Sequence, residues 1–173
     1  MDKPSYLVLR ADDIEPFTHP QELGYHSQHV LGKEITGGHD LLLNRGTVDP
    51  NYDLGGGNHP DNDEIYYAEA GECQVDLGGH PDSGEGHTTF TLGPGGVVFI
   101  PAGTFHRLRN RSSEPFVVLT IWPQPAVYGA NGIHDARLEA WGSGLRLRDG
   151  CRIESVASGG GRVVAPDHDP LAE

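Results

Sequence analysis

No stretch of this chain comes near the roughly 20 consecutive apolar residues that a membrane-spanning helix needs. Its beginning, Met1-Asp-Lys-Pro, has neither the basic start nor the apolar core of an export signal. The expected location is cytoplasmic, with no membrane partner. Basic residues are also scarce: 12 Lys and Arg stand against 25 Asp and Glu, for a formal net charge of −13. Binding a phosphate backbone needs a basic face, so no nucleic acid is expected as a partner. The one basic cluster, Arg107, Arg109 and Arg111, alternates along a predicted strand and reads as an outer face or as partners for the acidic surplus. Cysteine is scarcer still. Cys73 and Cys151 form no spaced ligand motif, and in a cytoplasmic chain they read as free thiols rather than a disulfide. Helical periodicity is nearly absent, with only His134 to Trp141 showing a weak amphipathic spacing.

What is present in quantity is punctuation. The 173 residues include 25 glycines and 13 prolines set between short apolar runs, the pattern of many short strands. Strands are predicted at Tyr6 to Leu9, Asp40 to Asn44, Ile65 to Ala70, Glu72 to Leu77, Thr88 to Leu92, Val97 to Ile100, His106 to Arg109 and Phe116 to Trp122. The expected fold is all-β, a jelly-roll or small antiparallel barrel with a short peripheral helix, whose interior holds side chains and one ligand. The length suits a single domain. We divide it into an N-terminal strand and loop (1–39) packing on the barrel or on a partner subunit, a barrel core (40–125), and a C-terminal extension (126–173). The end of that extension has little apolar material to bury. Edge strands of an open barrel need covering, so a homodimer is expected. No internal repeat is visible.

Two segments carry the chemistry. The first is His59-Pro-Asp-Asn-Asp-Glu64, followed six residues later by Gly71; the second runs from Gly95 through Pro101, Gly103 and His106 to Asn110. They resemble the two signature motifs of the cupin superfamily, over roughly residues 40–122. The second block matches at every defining position. The first departs at one, because Gly57 stands where most cupins carry a further histidine. The resemblance implies a double-stranded β-helix barrel and, with Gly57 in that place, a metal site of His59, Glu64 and His106.

Strand parity is consistent with that ligand set. Alternate side chains share a face, so Glu64, Tyr66 and Ala68 point one way and Ile65, Tyr67 and Glu69 the other. Likewise His106, Leu108 and Asn110 oppose the three arginines, and Cys73 shares the parity of Val75 and Leu77, expected to be the barrel interior. Tyr66, the candidate catalytic residue, is either a core aromatic or a hydroxyl that contacts substrate. Asp61 and Asp63 lie between His59 and Glu64 but are not read as ligands; Asp61-Asn62 reads as the turn of the link, where short polar side chains bond their own backbone.

The other histidines read as structural. His19, His80, His134 and His168 sit in turn-like sequence and are expected at the surface, as is His87. His26 and His29, three apart in a polar loop, could share one helical face as metal ligands, but such a pair alone is a weak signal. His39 lies before an apolar strand, within possible reach of the barrel mouth. Phe99, Phe105, Trp122 and Tyr128 are expected in core and rim packing.

Two imidazoles and one carboxylate on a single octahedral face leave about three positions for reactants. The expected function is therefore a mononuclear non-haem iron oxygenase of dioxygenase type. Its cofactor is Fe(II), with Ni, Mn or Zn as other options, and its partners are dioxygen and a small chelating aromatic, heteroaromatic or hydroxy acid. One alternative is a metal-dependent redox-neutral isomerase, cyclase or lyase; another is a non-catalytic binding protein.

Overall fold

The structure, a computed structural model, describes residues 9–36, 41–80, 83, 86–123, 132–142 and 144–153. Its strands are β1 (Phe17–Thr18), β2 (Tyr25–Leu31), β3 (Leu41–Val48), β4 (Glu64–Ala70), β5 (Cys73–Gly78), β6 (His87–Leu92), β7 (Val97–Ile100), β8 (Phe105–Arg109), β9 (Phe116–Pro123), β10 (Leu145–Arg146) and β11 (Arg152–Ile153). Among the described residues, a 3-10 turn (Ala11–Asp13) and two α-helices, α1 (Lys33–Thr36) and α2 (Ile133–Trp141), lie outside the sheets. A six-stranded sheet, β1-β2-β3-β9-β4-β7, faces a three-stranded one, β6-β5-β8, and β10 pairs with β11. The ladders among the described residues are antiparallel. This is the all-β, jelly-roll architecture expected from the sequence.

The main core forms between the two sheets. Tyr25, Val48, Tyr66, Ala68, Ile100, Phe116 and Val118 from one meet Cys73, Val75, Leu92 and Leu108 from the other. Period-2 alternation generates it, as β4 alternates buried and exposed from Glu64 to Ala68 and β9 does so along its length. A smaller core of Ile14, Ile35, Leu145, Leu147 and Ile153 ties the N-terminal segment to β10 and β11. Gln28, pointing away from the main core, ties the same segment to β2 by donating to the carbonyls of Ala11 and Ile14. Both cysteines are free.

Two expectations about strands are corrected. Residues 25–31 form a full strand rather than a polar loop. Its inward positions are Tyr25, Ser27 and His29, so polar residues occupy the places where apolar ones would have signalled a strand. β3 also runs four residues beyond Asn44, straight through Gly46. That glycine is in the strand because the Tyr25 ring covers it, and a Cβ there would stand 2.5 Å from the tyrosine oxygen. Phe99 points outward and is 57% exposed, correcting its assignment to core and rim packing; Trp122 is buried. Leu9 is described and is not in a strand. The rest of the predicted strand at Tyr6, together with His39, Tyr128, His168 and the C-terminal tail, lies outside the described residues.

Candidate metal centre

Local structure sets each of the three side chains. Glu64 opens β4 with inward parity and is 3% exposed. His106 occupies the second position of β8, directly after the Pro101 to Thr104 turn, where Gly103 takes a φ of +77°. That region of backbone space favours glycine. The loop carrying His59 runs back along β8 as an irregular extra strand: Leu54 N–H donates to Leu108 O, Gly57 and His106 exchange both backbone bonds, and Gly103 N–H donates to His59 O at 2.8 Å. Asp63 fastens the end of this loop by accepting from Ala102 N–H at 2.9 Å. Asp61 is exposed, and neither aspartate joins the cluster.

The three functional groups converge. Glu64 Oε2 lies 3.4 Å from His59 Nε2 and 3.3 Å from His106 Nε2, and all three ligand atoms fall within 4.8 Å of one another. Neighbouring ligands at right angles on a divalent ion, with bonds of about 2.1 Å, stand roughly 3 Å apart. The donor chemistry fits as well. His106 Nδ1 is 3.1 Å from Thr104 O, and a carbonyl only accepts, so the proton sits on Nδ1 and Nε2 presents its lone pair to Glu64. Burial, opposed by the nearby Glu64 and assisted by His59, lowers the His106 pKa and favours the neutral imidazole that a metal requires. Glu64 Oε2 is buried without a hydrogen bond among the described residues. A lone pair facing a buried carboxylate oxygen is unfavourable until a cation stands between them.

Around this point opens a cavity of about 530 Å³. Trp122 stacks on His59, with centroids 6.0 Å apart and planes 16° off parallel, and the Tyr66 ring meets His106 edge-on at 5.9 Å. Tyr66 is buried and lines the cavity, with burial, aided by Glu64, raising its hydroxyl pKa well above the usual value. The outward arginines pair with acids: Arg107 and Arg109 with Asp76, and Arg111 with Asp53.

Two histidines expected at the surface are inside. His19 and His134 are buried and line the cavity, and His134 lies against His29 with ring centroids 4.6 Å apart. His19, between Thr18 and Pro20, has no local signal of burial, whereas His134 follows Ile133 in the weakly amphipathic stretch; docking of the N-terminal segment and α2 buries both. His26 and His29 lie on opposite faces of β2, so they form no ligand pair. His26 bonds Thr18 and Asp49 instead. His80 and His87 are exposed as expected. No helix among the described residues is long and apolar enough to cross a membrane.

Residues 45–122 match the family model described as Cupin domain. Over 77 residues the chain is 35% identical to a glucose-6-phosphate isomerase of Thermococcus kodakarensis, covering 44% of this chain and 39% of that protein. Over 91 residues it is 32% identical to an uncharacterized protein of Acanthamoeba polyphaga mimivirus, covering 53% and 54% respectively. The chain thus spans about half or less of these curated relatives. A solved structure of a predicted oxalate decarboxylase from Thermotoga maritima superposes with a TM-score of 0.56 at 24% identity, over 68% of this chain and 98% of that one. That likeness shows a shared fold.

Proposed function

We propose that this chain, whose residues 45–122 are a cupin domain, is a mononuclear non-haem iron oxygenase acting on a small chelating substrate. The observation that supports it is the convergence of one buried carboxylate oxygen and two imidazole nitrogens on a common point, with Gly57 beside them. His59, Glu64 and His106 would hold the ion. Iron(II) held by such a facial set supplies the redox chemistry that dioxygen needs to react with ordinary organic molecules.

The chain's own residues do the rest. Thr104 O fixes the tautomer and ring plane of His106, the role that outer partners of metal-bound histidines commonly play. Trp122 restricts the His59 ring by stacking. Gly57 keeps one side of the site open, since a Cβ there meets nothing within 4 Å. Tyr66, held neutral by burial, offers a hydroxyl beside His106 for orienting substrate.

A second reading, redox-neutral isomerisation or lyase chemistry with Fe, Mn, Ni or Zn acting as a Lewis acid, is favoured by the 35% identity to a protein named as a sugar-phosphate isomerase. The test is metal analysis of protein purified without added metal, followed by iron loading and turnover of a panel of hydroxy acids and phenols with and without dioxygen. Oxygen uptake matched to product supports the oxygenase reading. Undiminished turnover under strict anaerobiosis overturns it in favour of the second. His59→Ala, Glu64→Ala and His106→Ala should each lose most of the metal, whereas His26→Ala and His80→Ala should keep it.

A further inference from the structure

The cavity has a second chemically distinct wall. On the inner face of the six-stranded sheet, His29 stands opposite Asn44, Asn44 opposite Thr120, and Thr120 opposite Tyr66. This row runs at right angles to the strands and ends two residues from Glu64. All four side chains are buried, and all line the cavity. Polar groups inside a β-sandwich are costly unless bonded, so the bonds they make reveal what the wall presents.

Asn44 is fully engaged. Its Oδ1 accepts from Ser27 Oγ at 2.5 Å, while Nδ2 donates to Tyr25 Oη at 3.0 Å and to Thr120 Oγ1 at 3.3 Å. The amide therefore uses both its protons on the two hydroxyl oxygens, and the hydroxyl protons of Tyr25 and Thr120 must point elsewhere. Both residues line the cavity, so the wall presents a pair of neutral O–H donors. Gly46 makes this possible by leaving room for the Tyr25 oxygen. No lysine or arginine lines the cavity among the described residues, and Glu22 contributes a further carboxylate. A dianionic phosphate has no ion-pair partner of the kind it usually requires.

We infer that Tyr25 and Thr120, oriented by Asn44, bind an uncharged oxygen of the substrate outside its chelating group, so that the substrate is a small polyhydroxylated chelator and not a phosphate ester. This rests on the reading of His59, Glu64 and His106 as a metal site.

The test uses manganese-loaded protein at pH 8, where an ordinary imidazole of pKa about 6.5 is uncharged. Four acids serve as probes in calorimetric titrations: lactate, which only chelates; glycerate and gluconate, which add neutral hydroxyls at two chain lengths; and 3-phosphoglycerate, which ends in phosphate. Wild-type protein should bind glycerate or gluconate about tenfold more tightly than lactate, and 3-phosphoglycerate no more tightly than lactate. Tyr25→Phe and Thr120→Val should each cut that preference about threefold or more, with manganese content and lactate affinity unchanged. Thr120→Ser should retain it. Gly46→Ala, which keeps both hydroxyls but crowds Tyr25, should lose it. The inference is overturned if neither hydroxylated acid exceeds lactate, if the preference survives both hydroxyl deletions, or if 3-phosphoglycerate binds tightest. Wild-type protein that takes up no manganese refutes the metal reading before any acid is added, and this inference with it.

Discussion

Gly57 and His106 face each other across a pair of backbone hydrogen bonds, 3.1 Å from Gly57 N to His106 O and 2.9 Å in return. A side chain added at Gly57 would therefore start beside a metal-ligand candidate, in space where a Cβ meets nothing within 4 Å. Gly57→His is accordingly expected to fold, to add a fourth ligand and to raise metal affinity. It should also suppress turnover by occupying a reactant's position. Competition titration with a chelator and steady-state rates on the same preparation check both halves. Higher affinity with an undiminished rate would show that the reaction does not use that side of the site.

Glu64 carries a cost in the metal-free protein, because its Oε2 is buried with no hydrogen bond among the described residues. Glu64→Gln should leave the metal-free melting temperature unchanged or raise it. The same variant should lose the upward shift on adding metal, which for wild type amounts to about 2.7 kcal/mol at a hundredfold excess over Kd. Melting curves with and without iron(II) distinguish the two effects; a variant that melts well below metal-free wild type would assign Glu64 a structural role.

Asp76 shows the opposite economy. Its carboxylate, fully buried, accepts from Thr89, from two nitrogens of Arg107 and from Arg109. Burial works against its charge, yet the hydrogen bonds from Thr89, Arg107 and Arg109 prevail and hold its pKa below the ordinary value. A depressed folded-state pKa gives stability that is complete above the unfolded value of about 4 and is lost as pH falls through the folded one. Asp76→Ala should cost about 1–3 kcal/mol at pH 7 by removing the carboxylate that pairs the partly exposed Arg107 and Arg109. It should also flatten the loss of stability below about pH 4. Urea titrations at pH 7 and pH 3 measure both; parallel slopes for wild type and variant would remove Asp76 as a source of acid lability.

The outer faces of β4 and β7 carry four apolar side chains in register, Ile65 opposite Phe99 and Tyr67 opposite Val97, each at least 37% exposed. β7 is the last strand of its sheet, and an apolar block on an open edge invites another chain. A homodimer covering this face is the expected state. Light scattering at low micromolar concentration should give about twice 18.6 kDa, and Phe99→Glu should return the value to the monomer. A monomeric wild type would rule this out.

Much of the metal centre is written locally. The parity of Glu64, Tyr66 and Ala68, the turn at Pro101 and Gly103, and the inward position of His106 follow from period-2 geometry and from turn residues a few positions away. Hence β4 to β9 could be placed to within about a residue, and the three side chains that converge could be named from two short segments. The polar wall was not legible in this way. Ser27 and His29 look like loop residues in sequence and Asn44 like the end of a strand, because their burial is decided by partners such as those 17 and 76 positions distant, and a hydrogen bond across strands leaves no mark on local composition. The same holds for His19 and His134, buried by the docking of segments at opposite ends of the described chain. The chain by itself determined a strand-rich barrel and the residues able to hold a metal, since both depend on spacing. Only the tertiary structure decided which polar groups surround the cavity and which way their protons point, because those depend on which strands become neighbours and in what register.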